Sequence, residues 1–120
     1  MSIHAMIDLE TFATTPDCVI TSLGVIKFDP YTDSEPYEGL YLKLDIDEQN
    51  QLNRSVDDDT MAWWGRQDAS VRDEALSEEG RTNLTEALSQ INKSLVGVDK
   101  IWAQGPVFDI AILEHLYRQL

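Results

Sequence analysis

Met6-Ile7-Asp8-Leu9-Glu10-Thr11-Phe12 is the stretch that decides how this chain folds. From Ile3 to Leu9 the residues are almost all apolar, which predicts a strand buried on both faces. Two acids then stand two residues apart near its end. Strand side chains alternate, so Asp8 and Glu10 point to the same side of the sheet. At roughly 7 Å and an effective dielectric of about 20, two such charges repel by about 2 kcal/mol. Three arrangements relieve that repulsion: one acid is protonated, a cation sits between them, or both lie just past the strand end in water. Divalent ions such as Mg²⁺ and Mn²⁺ suit carboxylate oxygens.

Working outward, Thr14, Thr15, Pro16 and Asp17 form a turn-rich loop. A second strand is predicted from about Val19 to Phe28, with Gly24 marking a bulge or a close backbone approach. Asp29-Pro30 and residues 32–36 turn the chain into a third strand, about Glu38 to Leu44. There Leu40, Leu42 and Leu44 alternate with Tyr41 and Lys43, as on a half-exposed edge. The short links favour an antiparallel meander.

The pattern then becomes helical. Residues 45–53 read as a short polar helix. Asp57-Asp58-Asp59 reads as a solvated cap rather than a metal cluster, with Asp59 as N-cap of a helix carrying Trp63 and Trp64. Neighbours on a helix are about 100° apart. One Trp reads as a core anchor; the other either packs too or stands half exposed, available to stack on a base or ring. Leu84, Leu88, Ile91 and Leu95 predict an amphipathic helix over 83–96, ended by Gly97. Lys100 to Gln104 reads as a short fourth strand parallel to the first.

Gly105-Pro106 opens the last helix. Asp109, Ile112, Leu113, Leu116 and Leu120 share one stripe, so Asp109 points a carboxylate inward at the rim of the sheet. That is costly unless the group is paired or metal-bound, although a helix N-terminus offsets part of the cost. Capping of its own first turn is the competing explanation. His4 shares the face of Asp8 but stands roughly 13 Å away, and His115 reads as a surface residue. Neither is expected to be a ligand.

The 120 residues suit a single domain over 1–120. A net charge of −13 excludes nucleic-acid binding through a broad basic surface. It leaves room for a small site where divalent metal supplies the positive charge. No apolar run approaches the roughly 20 residues of a membrane span. No basic and apolar leader opens the chain. The lone Cys18 excludes an internal disulfide and fits a reducing compartment.

Asp8-Leu9-Glu10-Thr11, the strand around Ser22-Leu23-Gly24-Val25-Ile26-Lys27-Phe28, and Trp102-Ala103-Gln104-Gly105-Pro106-Val107-Phe108-Asp109 occur in the order seen in one superfamily. The chain resembles the DEDD 3′–5′ exonucleases, nearest to the phage exodeoxyribonuclease A type and related bacterial 3′–5′ exoribonucleases. The threonine–proline loop and Trp63-Trp64 with nearby Gln67 are part of the likeness. The resemblance implies an α/β, ribonuclease H-like fold, with an antiparallel three-stranded meander, a parallel strand and flanking helices. The expected sheet order is third, second, first, fourth, then an absent fifth. It also implies two Mg²⁺ or Mn²⁺ ions, with Asp8 bridging both and Glu10 and Asp109 completing the cluster. Thr11, Phe12 and Phe108 beside the acids, with Trp64 and Gln67, are the implied substrate-binding residues. The implied partner is the 3′ end of single-stranded DNA or RNA, in a phage or bacterial host cytoplasm.

The chain departs from that pattern after Asp109. The superfamily's third motif, a His-x-x-x-Asp on a later helix, has no counterpart, because Glu114 and His115 come too early. This leads us to expect a C-terminally truncated domain with an exposed fourth-strand edge, covered by self-association or by a partner. Two other functions fit the sequence: a catalytically inactive exonuclease-like module that binds metal, a nucleotide or a protein, and a plain acidic interaction domain.

Overall fold

The computed structural model describes residues 2–120, the side chains of residues 106 and 107 excepted. Strands β1 (His4–Thr11), β2 (Ile20–Phe28) and β3 (Tyr37–Leu44) form the antiparallel meander. Three helices follow: α1 (Ile46–Gln51), α2 (Asp58–Gly65) and α3 (Ala69–Leu76). The two-residue β4 (Arg81–Thr82), α4 (Leu84–Ser94), β5 (Lys100–Trp102) and α5 (Pro106–Gln119) complete the chain. The sheet order is β4-β3-β2-β1-β5, with β5 parallel to β1. This is the mixed, ribonuclease H-like architecture expected, with β4 added beyond β3. No helix among the described residues is long and apolar enough to cross a membrane.

Beyond His4, β1 is buried on one face only. Ala5, Ile7 and Leu9 are interior, whereas Met6, Asp8 and Glu10 are exposed. The expectation of two buried faces fails because α4 and α5 both pack on the same side. Their Leu84, Ala87, Ile91, Ile112, Leu113 and Leu116 close over Ala5, Ile7, Leu9, Leu23, Val25 and Leu42. On the outer face the register aligns Asp8 with Gly24 and Gly24 with Tyr41, and, one row along, Glu10 with Ser22 and Ser22 with Lys43. Alternation therefore presents both acids on the uncovered side of the sheet.

A second, smaller core of Phe12, Val19, Trp64 and Ala75 ties α2 and α3 to the end of β1. Asp45, Asp57 and Asn83 cap α1, α2 and α4, each accepting a backbone N–H three residues on. The cap of α2 is thus Asp57, not Asp59, which lies within the first turn. Gly97 has φ +78°, the left-handed conformation that lets the chain leave α4.

Helix α3 and strand β4 were not foreseen. α3 has little periodic hydrophobicity, and β4 exists only through its pairing with the end of β3. Gly24 makes no close approach: a Cβ there would meet nothing within 4 Å. The register breaks instead at Glu10/Thr11 and at Val25/Lys27. β5 is shorter than expected, and its Ile101 and Trp102 are exposed along the sheet edge.

Candidate nuclease site

The end of β1 and the first turn of α5 bring Asp8, Glu10 and Asp109 into mutual electrostatic range. Asp8 and Glu10 are exposed on the outer face, and Asp109 is only 5% exposed. Burial, then the charges of Asp8 and Asp109, push the Glu10 carboxyl above its ordinary range. Burial, then the Asp8 charge, does the same to Asp109. Among the described residues no hydrogen bond offsets either shift. The ion pairs among the described residues, Lys27–Glu38 and Glu114–Arg118, involve none of the three. The N-cap of α5 is Gly105, and Asp109 lies in the first turn.

Three hard oxygen donors that repel each other, with no ion pair to them among the described residues, have the chemistry of a divalent-cation site. Their spacing is open: among the described residues no three His, Cys, Asp or Glu side chains converge closely enough to hold an ion. The donor set fits a metal, but a tight cage is not formed.

Two hollows flank Glu10. On one side a groove of about 490 Å³ is lined by Thr11, Thr60, Trp63, Trp64, Arg66 and Phe108. On the other a cavity of about 430 Å³ lies between the outer face of the sheet and α3. Asp8 and Glu10 stand at its border, Ser22, Gly24 and Tyr41 form its floor, and Ser70, Val71, Glu74 and Ala75 form its wall.

Helix α3 is held there by backbone chemistry. Thr21 Oγ1 donates to the Ala75 carbonyl. Arg81 donates to the Ala75 carbonyl (2.7 Å), the Ser77 carbonyl (2.8 Å) and the Thr21 carbonyl (2.7 Å).

Thr11, Trp64 and Phe108 share the groove with Glu10, whereas Phe12 and Gln67 do not line it. Phe12 is an interior residue of the small core at 3% exposure. Gln67 turns back to donate to the Trp63 carbonyl. Of the two tryptophans, Trp64 is the anchor, 5% exposed with its Nε1 donating to the Thr11 carbonyl at 3.0 Å. Trp63 is half exposed and presents its ring to the groove.

His4 is buried against Trp102, whose Nε1 donates to His4 Nδ1 at 2.7 Å. His115 is not a free surface residue. Arg54 Nη1 donates to its Nδ1 at 3.0 Å and to Gln119 Oε1 at 2.7 Å.

The Rv2179c-like family, described as a 3′–5′ exoribonuclease domain, matches residues 3–120. The chain belongs to that family. Among solved structures it is similar to Exonuclease I from Methylocaldum szegediense, with TM-score 0.71 and 16% identity over 99% of this chain. It is similar also to E. coli Exonuclease I in a zinc-bound complex with single-stranded DNA, with TM-score 0.65 and 19% identity over 98% of this chain. An ExoI/SSB-Ct complex gives TM-score 0.64 at 19% identity over 98% of this chain. The chain spans 24% of the length of each of these. At such identities the likeness shows the fold alone. Comparison with curated proteins gives no match.

Within this exoribonuclease-domain family member, several residues about the site escaped sequence reasoning. Trp63 could have been told from Trp64 only by knowing which face of α2 meets Phe12. Arg66 lines the same groove as Glu10. Tyr41 and Glu74 meet across 33 positions through a 3.0 Å hydrogen bond, for which no local pattern exists.

Proposed function

We propose that this chain is the catalytic fold of a divalent-metal-dependent 3′–5′ exonuclease acting on the 3′ end of single-stranded nucleic acid. The observation that supports it most is the trio Asp8, Glu10 and Asp109, unpaired and mutually repelling where β1 ends and α5 begins. Those three carboxylates would hold Mg²⁺ or Mn²⁺. When bound, such ions would supply an activated water and charge neutralisation at the phosphate. The protein's own part is to fix the oxygens. β1 sets Asp8 and Glu10 on one face, and the packed stripe Ile112, Leu113 and Leu116 fixes the α5 turn that carries Asp109. The groove then orients the strand, with Arg66 opposing a backbone phosphate and Trp63 and Phe108 offering ring faces to bases.

The open spacing of the acids favours a second reading, a module that binds a metal or a nucleotide end without turnover. Two experiments separate the readings. Mn²⁺ titration by calorimetry is expected to give heat with the wild type and none with Asp8→Ala; an unchanged isotherm in the variant eliminates the metal claim. Single-stranded RNA and DNA ladders with Mg²⁺ are expected to shorten from the 3′ end. Metal heat without shortening selects the binding module.

A further inference from the structure

Negative charge is spread unevenly along this chain. Residues 92–120 carry three cations, Lys93, Lys100 and Arg118, against three acids, so the whole excess of −13 lies in residues 1–91. The neutral part is also where apolar side chains reach the surface. Ile101 and Trp102 of β5 are half exposed, and Val96 and Leu120 are more open still.

β5 is an edge strand, paired in the sheet with β1 alone. Its far side offers the backbone N–H and C=O groups of a sheet edge to a further strand. The opposite edge, β4, is two residues long, and its Arg81 is tied to the carbonyls of Thr21, Leu44 and Ala75.

The register fixes which way the β5 side chains go. Ile101 lies beside Ala5, on the face covered by α4 and α5. A groove of about 480 Å³, lined by Leu95, Ile110, Leu113 and Tyr117, opens next to it. Asn92 borders both that groove and a second one, lined by Leu88, Val96 and Leu120. Lys100 and Trp102 lie on the outer face, and among the described residues Lys100 forms no ion pair.

We propose that this edge docks a second copy of the chain, two β5 strands pairing antiparallel about a two-fold axis at Ile101. The proposal is independent of the nuclease reading. A two-fold axis normal to the sheet makes the paired strands antiparallel and keeps both helical layers on one side. Centring on Ile101 pairs all three residues of each strand. The two Ile101 side chains then meet beside the apolar grooves. Lys100 is set against the partner's Trp102, twice over, so that an ammonium meets an indole ring. Trp102 Nε1 already donates to His4 Nδ1 at 2.7 Å, which holds the indole in place before the partner arrives. Docking through surfaces built from residues 1–91 would bring two strongly acidic faces together, and docking through this edge does not.

Sedimentation equilibrium of the 120-residue chain over a concentration series is expected to show a monomer–dimer equilibrium. Lys100→Glu is expected to weaken it by about tenfold, since the contact occurs twice. Lys100 is exposed, so the variant should fold as the wild type does, which circular dichroism checks. Ile101→Cys tests the register. Directly opposed residues of antiparallel strands have Cα atoms about 4.5–5.5 Å apart, within disulfide reach. Cys18 is buried and does not compete. Ile101→Cys is therefore expected to cross-link under mild oxidant well ahead of Glu79→Cys, an exposed position beside β4. A chain that stays monomeric up to about 1 mM overturns the proposal. So does a dimer that Lys100→Glu leaves intact, or one in which the two cysteine variants cross-link equally.

Discussion

Asp109 raises the pKa of Glu10 although 99 positions separate them in the chain. Burial is the larger cause and Asp8 the next, but the pairing across the sheet rim exists only because α5 returns its first turn to the end of β1. The fold thus gathers negative charge that the unfolded chain keeps apart.

That gathering sets a pH dependence. Glu10 and Asp109 both have folded values above their ordinary 4.5 and 3.8, so the folded state holds more protons than the unfolded one in this window. Their contribution to stability is complete below the ordinary values and is lost as pH rises through the raised ones. Asp109→Asn is therefore expected to raise Tm by a few degrees at pH 7 in chelator and to change it little at pH 3. Thermal scans at the two pH values check this; a lower Tm at pH 7 would mean that the carboxylate is satisfied by a partner.

Divalent metal should reverse the same penalty. Mn²⁺ at a hundred times its Kd is expected to stabilise the wild type by about 2.7 kcal/mol. Asp8→Ala should abolish that gain. It should also reduce exonuclease turnover by more than the roughly 10–100-fold that loss of an outer-shell partner costs. Denaturation with and without Mn²⁺, beside gel assays, reads both.

The two tryptophans should part company under mutation. Trp64→Ala removes a 5% exposed ring and its bond to the Thr11 carbonyl, and is expected to cost about 3–5 kcal/mol. Trp63→Ala, at a half-exposed position, should cost under about 1 kcal/mol while weakening single-strand binding by about 1–3 kcal/mol. Urea titration and fluorescence anisotropy with an oligonucleotide distinguish these effects.

Arg54 is 5% exposed and donates to the Cys18 and Pro16 carbonyls as well as to His115 and Gln119. It joins the loop after β1 to the end of α5. Arg54→Lys cannot reproduce that fork of donors. It should lose about 1–3 kcal/mol per acceptor left unsatisfied, measured as a shift in urea midpoint.

Much of this molecule was written locally. Alternation in Leu40, Leu42 and Leu44 and the stripe from Asp109 to Leu116 depend on side chains a few residues apart, so strand, helix and inward acid could be read without coordinates. Helix α3 and strand β4 had no such pattern, since Arg81 and Thr21 hold them through backbone carbonyls far away in the chain. The same division runs through the site. Spacing alone put Asp8 and Glu10 on one side, but only the packing of α4 and α5 against the opposite face left that side open. Which Trp faces the groove, and the meeting of Tyr41 with Glu74, are long-range outcomes of how α2 and α3 dock. A sequence carries periodicity; which face becomes interior is settled only when distant apolar surfaces exclude water together.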